Sequence, residues 1–224
     1  QEQFTHEQIE ELVKCTTDPV YFLTTHSYIQ HPTKGKVKFD LFDYQIELIN
    51  CYHNNRYSIN MLGRQMGKST CAGGYLLWYA MFVPDSTILV AAHKHTGAQE
   101  IMQRIRFMYE SLPDYLRAGA TSYNKGSLEF DNGSRIVSAT TTENTGRGMS
   151  LTLVYLDEFA FVPPRIASEF WMERCRQHIS LAHQYWLIAE RSQNLYPTAN
   201  AFNSRGTNED PVKITNRSMN RRFK

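Results

Sequence analysis

The chain has 224 residues, of which 21% are charged and 42% apolar, with a formal net charge of +2. That length suits one domain, or one domain with appendages, and can bury a substantial core. It holds no apolar run near the roughly 18 residues of a membrane span, and a charge this small argues for no nucleic-acid partner by itself.

The first residues lack the charged start and apolar core of a signal peptide, so an intracellular setting is expected. Cys15, Cys51, Cys71 and Cys175 show no C-x-x-C spacing and read as buried free thiols. His93-Lys94-His95 forms a small cluster that reads as a phosphate-side or DNA-side loop rather than a zinc site.

In chain order, Glu7 to Lys14 has helical spacing, with Ile9, Leu12 and Val13 on one face. Thr17-Asp18-Pro19 breaks that helix. Val20 to Ile29 is aromatic and apolar and is expected to pack across the core. His31 to Lys36 reads as a loop by its turn residues. Leu41 to Asn50 reads as a helix leading to a short strand, Tyr57 to Leu62, and the apolar stretch Thr70 to Met81 suits a second helix.

Thr87 to Ala92 is a continuous apolar run, the pattern of a buried parallel strand. Gly97 to Leu112 is its following helix, with Ile101, Ile105 and Met108 on one side and Pro113 as its stop. Ser127 to Phe130 and Arg135 to Thr140 read as a strand pair around the Asn132-Gly133 turn. Leu151 to Leu156 is another buried strand. Helices separating apolar strands imply parallel crossovers, with ligand at the carboxyl ends of the strands.

Two segments fall at such ends. The first is Gly63-Arg64-Gln65-Met66-Gly67-Lys68-Ser69-Thr70, between the Tyr57 strand and the Thr70 helix. It departs from G-x-x-x-x-G-K-[ST] in placing its first glycine one position late. Gly67 lets the backbone approach phosphate, Lys68 brings charge to the β- and γ-phosphates, and Ser69 offers a hydroxyl to magnesium. The second is Leu153-Val154-Tyr155-Leu156-Asp157-Glu158. Asp157 can hold that magnesium through its water shell, and Glu158 can orient or deprotonate the attacking water. The pair favours an ATPase of the P-loop class.

The loop Arg64-Gln65-x-Gly67-Lys68-Ser69 resembles that of the large terminase subunits of tailed bacteriophages, and the likeness runs from about Phe39 to Phe170. Phe39 to Gln45 looks like the family's adenine-recognition segment, in which Tyr44 would stack or pack and Gln45 would read the base edge. Thr87 to Lys94 resembles the next motor strand and its loop. Gly146-Arg147-Gly148 precedes the Asp157 strand as an Arg-Gly pair does in these motors.

The resemblance implies an α/β P-loop NTPase of the RecA/helicase-like kind, with a mainly parallel sheet flanked by helices. It implies ATP with Mg2+, double-stranded DNA as the translocated partner, and a homo-oligomeric ring on the portal protein, supplied by the small terminase subunit in the host cytoplasm. Catalysis would fall to Glu158, Arg64 and Arg147. An arginine at the γ-phosphoryl group is worth roughly 10³ to 10⁵ in rate, with Arg64 acting in its own subunit and Arg147 placed to reach a neighbour. Nucleotide binding would use Tyr44, Gln45, Gly63, Gln65, Gly67, Lys68, Ser69 and Thr70, and metal binding Ser69 and Asp157.

The organisation expected is an N-terminal helical segment (1–38), an ATPase core (39–170) and a divergent basic tail (171–224). From Met172 to Lys224 there are nine Lys or Arg residues against four Asp or Glu. A solvated tail or one that holds phosphate backbones both fit that charge. The family's strand with a Thr-Pro coupling motif is not recognisable in Trp171 to Gln193, and no nuclease carboxylates follow. A truncated or frame-shifted product is favoured over a motor domain with a divergent end. Two other readings stand beside the packaging motor: a helicase-like ATPase, and a nucleotide-binding remnant without turnover.

Overall fold

The computed structural model describes residues 4–63, 65–142, 144–146, 148–163, 165–166, 186–192 and 213–216. Two helices lead. In α1 (His6–Thr17) the Thr5 hydroxyl accepts from the Gln8 N–H while the Gln8 side chain accepts from the Thr5 N–H, so the helix starts on a reciprocal cap. Asp18 ends it and at once opens α2 (Pro19–His26), accepting from the N–H groups of Val20 and Tyr21 at 2.8 and 3.0 Å. Pro19, in the first position of α2, loses no helical bond there.

The expected apolar segment from Val20 to Ile29 is therefore split. Phe22 and Leu23 of α2 are fully buried, and the chain then enters β1 (Tyr28–His31), paired antiparallel with β2 (Gly35–Lys38). The expected loop is the turn of this ribbon. The face expected of α1 is also displaced. Ile9 and Val13 are 51% and 57% exposed, whereas Leu12 and Cys15 meet the core. Glu11, on that same inner side, accepts from the Tyr21 hydroxyl and pairs with His26 Nε2 at 2.7 Å, which turns the helix. Burial pushes the Cys15 thiol up to about 12.

The remaining elements follow the expected alternation: α3 (Asp43–Asn54), β3 (Tyr57–Leu62), α4 (Lys68–Phe82), β4 (Thr87–Ala92), α5 (His95–Glu110), β5 (Ala120–Tyr123), β6 (Ser127–Phe130), β7 (Arg135–Thr140) and β8 (Leu153–Asp157). Of these elements, β5 alone lacks a counterpart in the sequence reading. Helix α4 is buried from Cys71 to Met81, because α2, α3 and α5 surround it over the sheet. That position accounts for its apolar composition on all sides.

With β9 (Trp186–Ser192) and β10 (Lys213–Asn216), the sheet among the described residues has eight strands in the order β10-β3-β9-β8-β4-β7-β6-β5. All neighbours from β10 to β7 are parallel, and only the β7-β6-β5 end is antiparallel. The sheet is thus mainly parallel, as expected. One expectation is corrected. Trp186–Ser192 forms β9, inserted between β3 and β8, and Lys213–Asn216 forms β10 beside β3. The stretch in which no coupling-motif strand was recognisable thus supplies an interior strand of the sheet.

Candidate nucleotide site

Strand β3 runs into the loop 63–67, and Gly67 (φ +73°) caps α4 in the left-handed region. The positive φ favours glycine there, and a Cβ at Gly67 would lie 2.7 Å from Gln45 Nε2 and force that side chain to shift. Gln65 is also left-handed, at φ +59°. Alternation of this kind before a helix turns backbone N–H groups towards one point, and the helix N-terminus adds partial positive charge. Ser69 and Thr70 sit in the first turn of α4, and Lys68 opens it with its side chain largely buried.

Helix α3 braces this loop. The Tyr44 hydroxyl and Gln45 Nε2 both donate to the Met66 carbonyl, at 3.1 and 3.2 Å, while Gln45 Oε1 accepts from the Phe42 N–H. Gln45 therefore ties the entry of α3 to the phosphate loop. Tyr44 stacks on Phe42, the rings 5.7 Å apart and 8° from parallel. Phe42 is 64% exposed and extends this aromatic surface, a role the sequence reading missed because the ring stands at the helix cap.

Strand β8 delivers Asp157 and Glu158 to the same edge of the sheet. Burial raises the Asp157 carboxyl above its ordinary range; the nearby Lys68 charge opposes that rise and Glu158 adds to it. The Tyr155 hydroxyl donates to Asp157 Oδ1 at 3.3 Å and also holds the carboxyl down, as does Arg104 of α5. Glu158 turns the corner in the left-handed region, at φ +46°, and is followed by a 3-10 turn, Phe159–Phe161. A residue with a side chain costs roughly 1–2 kcal/mol there. Phe159, buried with Leu156 and Val162, anchors the corner.

A cavity of about 350 Å³ opens between this corner and the β4–α5 loop. His93, Lys94 and Glu100 line it with Asp157 and Glu158. Glu100 also lines a second cleft, of about 410 Å³, with Thr70 and Arg104. Sequence periodicity showed Glu100 and Arg104 only as the polar face of a helix. Nothing in it could link them to Thr70 or Asp157.

Arg64 and Arg147 lie outside the described residues. The two glycines beside Arg147 are described and are both left-handed, Gly146 at φ +77° and Gly148 at φ +74°.

Residues 59–173 match the family model described as terminase large subunit, T4likevirus-type, N-terminal. The chain belongs to this large terminase family. Solved large terminases share its fold. That of bacteriophage HK97 superposes with a TM-score of 0.61 at 17% identity, over 80% of this chain and 38% of that one. The ATPase domain of the Thermus phage P74-26 large terminase gives 0.56 at 19% identity, over 70% and 67%. The large terminase of another thermophilic bacteriophage, solved in complex with ADP, gives 0.52 at 12% identity, over 68% and 39%. The chain thus spans little more than a third of the length of the HK97 protein.

Proposed function

We propose that this chain is the ATPase motor portion of a phage large terminase, hydrolysing ATP to drive double-stranded DNA into the prohead. The observation that carries the reading is the convergence of Lys68, at the N-terminus of α4, with the Asp157–Glu158 corner after β8. Family membership and the ADP complex of the thermophilic phage relative support it.

In this reading the loop 63–67 and the N-terminus of α4 bind the phosphates, and Lys68 lies along the β/γ side. Tyr44 and Phe42 offer the base an aromatic wall. Gln45 would read the base edge by exchanging its Met66 partner for the adenine. Ser69 and Asp157 are hard oxygen donors, and a buried carboxylate is well matched to a divalent cation; they would hold Mg2+, which when bound neutralises charge on the phosphate oxygens. Glu158 takes a proton from water as its oxygen bonds to the γ-phosphorus, and the bond to the β–γ bridging oxygen breaks, leaving ADP and phosphate. Arg64 in cis and Arg147 in trans would stabilise charge on the transferring group.

The core of the motor is assigned to residues 39–170 together with strands β9 and β10, which pair into the same sheet. A homo-oligomeric ring on the portal protein, supplied by the small terminase subunit inside the host cell, is the assembly such a motor serves. Among the described residues no helix is long and apolar enough to cross a membrane.

Steady-state phosphate release with ATP and magnesium tests this reading. Wild type is expected to turn over and Lys68→Ala to lose at least ~10²-fold, as expected when a transition-state charge is removed. A folded wild type that binds ATP without releasing phosphate would replace the motor with a non-hydrolysing nucleotide-binding unit.

A further inference from the structure

We propose that the β1–β2 ribbon is a contact surface for the phosphate backbone of duplex DNA, an inference that rests on the packaging reading above. From Pro19 to Phe39 the chain carries three lysines and no aspartate or glutamate, although the whole protein is nearly balanced at +2. The positive charge is therefore local, and the ribbon concentrates it.

Register decides where that charge points. Tyr28 pairs with Lys38 and Gln30 with Lys36, so these four share one face, while the alternate pair Ile29–Val37 occupies the other. Ile29 packs against the core and β1 lies along α5, which leaves the lysine face outward. Lys36, Lys38 and Lys34 are exposed, and among the described residues none of them forms an ion pair. Lys36 Nζ stands 4.4 Å from the Tyr28 ring centroid, a cation–π contact that steadies the ammonium on that face.

The turn is built to present the third charge. His31 Nδ1 accepts from the N–H groups of Thr33 and Lys34, both at 3.2 Å, and Gly35 closes the turn at φ +69°. Lys36 and Lys38 are two residues apart on one strand, about 6.8 Å. The ribbon also adjoins the nucleotide site: Gln30 and Pro32 wall the cleft that Thr70, Glu100 and Arg104 complete. A backbone held on the ribbon would lie one wall away from the phosphate-binding helix.

The test is fluorescence anisotropy with a labelled mixed-sequence duplex of about 30 base pairs, titrated between about 50 and 200 mM salt. Lys36→Gln/Lys38→Gln is expected to weaken binding about tenfold or more and to flatten the log–log salt slope by about 2, at ~0.9 per lost contact. Lys34→Gln, which disturbs no ring contact, should flatten it by about 1. A matched charge control, Lys14→Gln/Lys125→Gln, should bind as wild type does, and all variants should bind a fluorescent ADP equally.

Equal losses in the ribbon and control variants would overturn the proposal. So would a ribbon variant that keeps the wild-type affinity and slope; the DNA reading itself would then survive. A wild type that hydrolyses ATP but binds no duplex at the lowest salt would defeat both.

Discussion

The two ends of the sheet are built from similar short strands, yet only the parallel part gathers the candidate site residues at one edge. From β10 to β7 every neighbour is parallel, so successive carboxyl ends gather at one edge and bring Lys68, His93 and Asp157 together. At the β7-β6-β5 end the chain reverses twice, and its loops fall alternately at opposite edges. Direction, more than composition, decides where a site can form.

That contrast can be broken at several strengths. The largest expected effect is Leu89→Ala, at a fully buried position on β4 between β8 and β7. It should cost about 2–5 kcal/mol in chemical unfolding, whereas Thr121→Ala on the exposed edge strand β5 should stay within about 0.5 kcal/mol. Equal losses would mean that the parallel core is not the seat of stability.

A sharper comparison sets two left-handed glycines against each other. Gly67→Ala would force a side chain onto Gln45 in the phosphate loop, and phosphate release should fall at least ~10²-fold, the usual consequence of a misplacement near 1 Å. Gly133→Ala, in the β6–β7 turn against Asp85, strains an equally unfavourable backbone at φ +83°. It should lower stability by roughly 1–2 kcal/mol while turnover per folded molecule stays unchanged. Loss of turnover from the Gly133 variant would erase the distinction.

The smallest effect concerns pH. Burial raises Asp157, and the Tyr155 hydroxyl is one of the groups holding it down. Activity that needs the carboxylate is present above its folded pKa and lost as pH falls through it. Tyr155→Phe removes a stabilising donor, so the pKa rises further and the acid limb of the rate profile should move to higher pH. An unmoved limb would show that Asp157 ionisation does not limit the rate.

Most of the parallel core was legible because burial on both faces writes strands as unbroken apolar runs, as in Thr87 to Ala92 and Leu151 to Leu156. The phosphate loop and the Asp157–Glu158 pair were legible because their chemistry fixes residue types at short spacing. Other elements depend on partners far along the chain. Ala120–Tyr123 is short and polar and becomes a strand only against β6. Trp186–Ser192 looked like a tail until β3 and β8 paired with it. The face of α1 followed Glu11 and its partners on α2 rather than the positions of Ile9 and Val13. In the site, Tyr155, Glu100 and Arg104 act across strand and helix packing, and no local spacing encodes that adjacency.

The central claim is that the corner after β8 completes a hydrolytic site with Lys68. Its most direct test is Glu158→Gln, measured by fluorescent nucleotide binding and by single-turnover ATP hydrolysis on the same preparation. Binding close to wild type with hydrolysis slowed by about 10²–10⁴, the range for loss of a general base, is the predicted result. Hydrolysis at the wild-type rate would contradict the assignment and move the catalytic base elsewhere in the cavity.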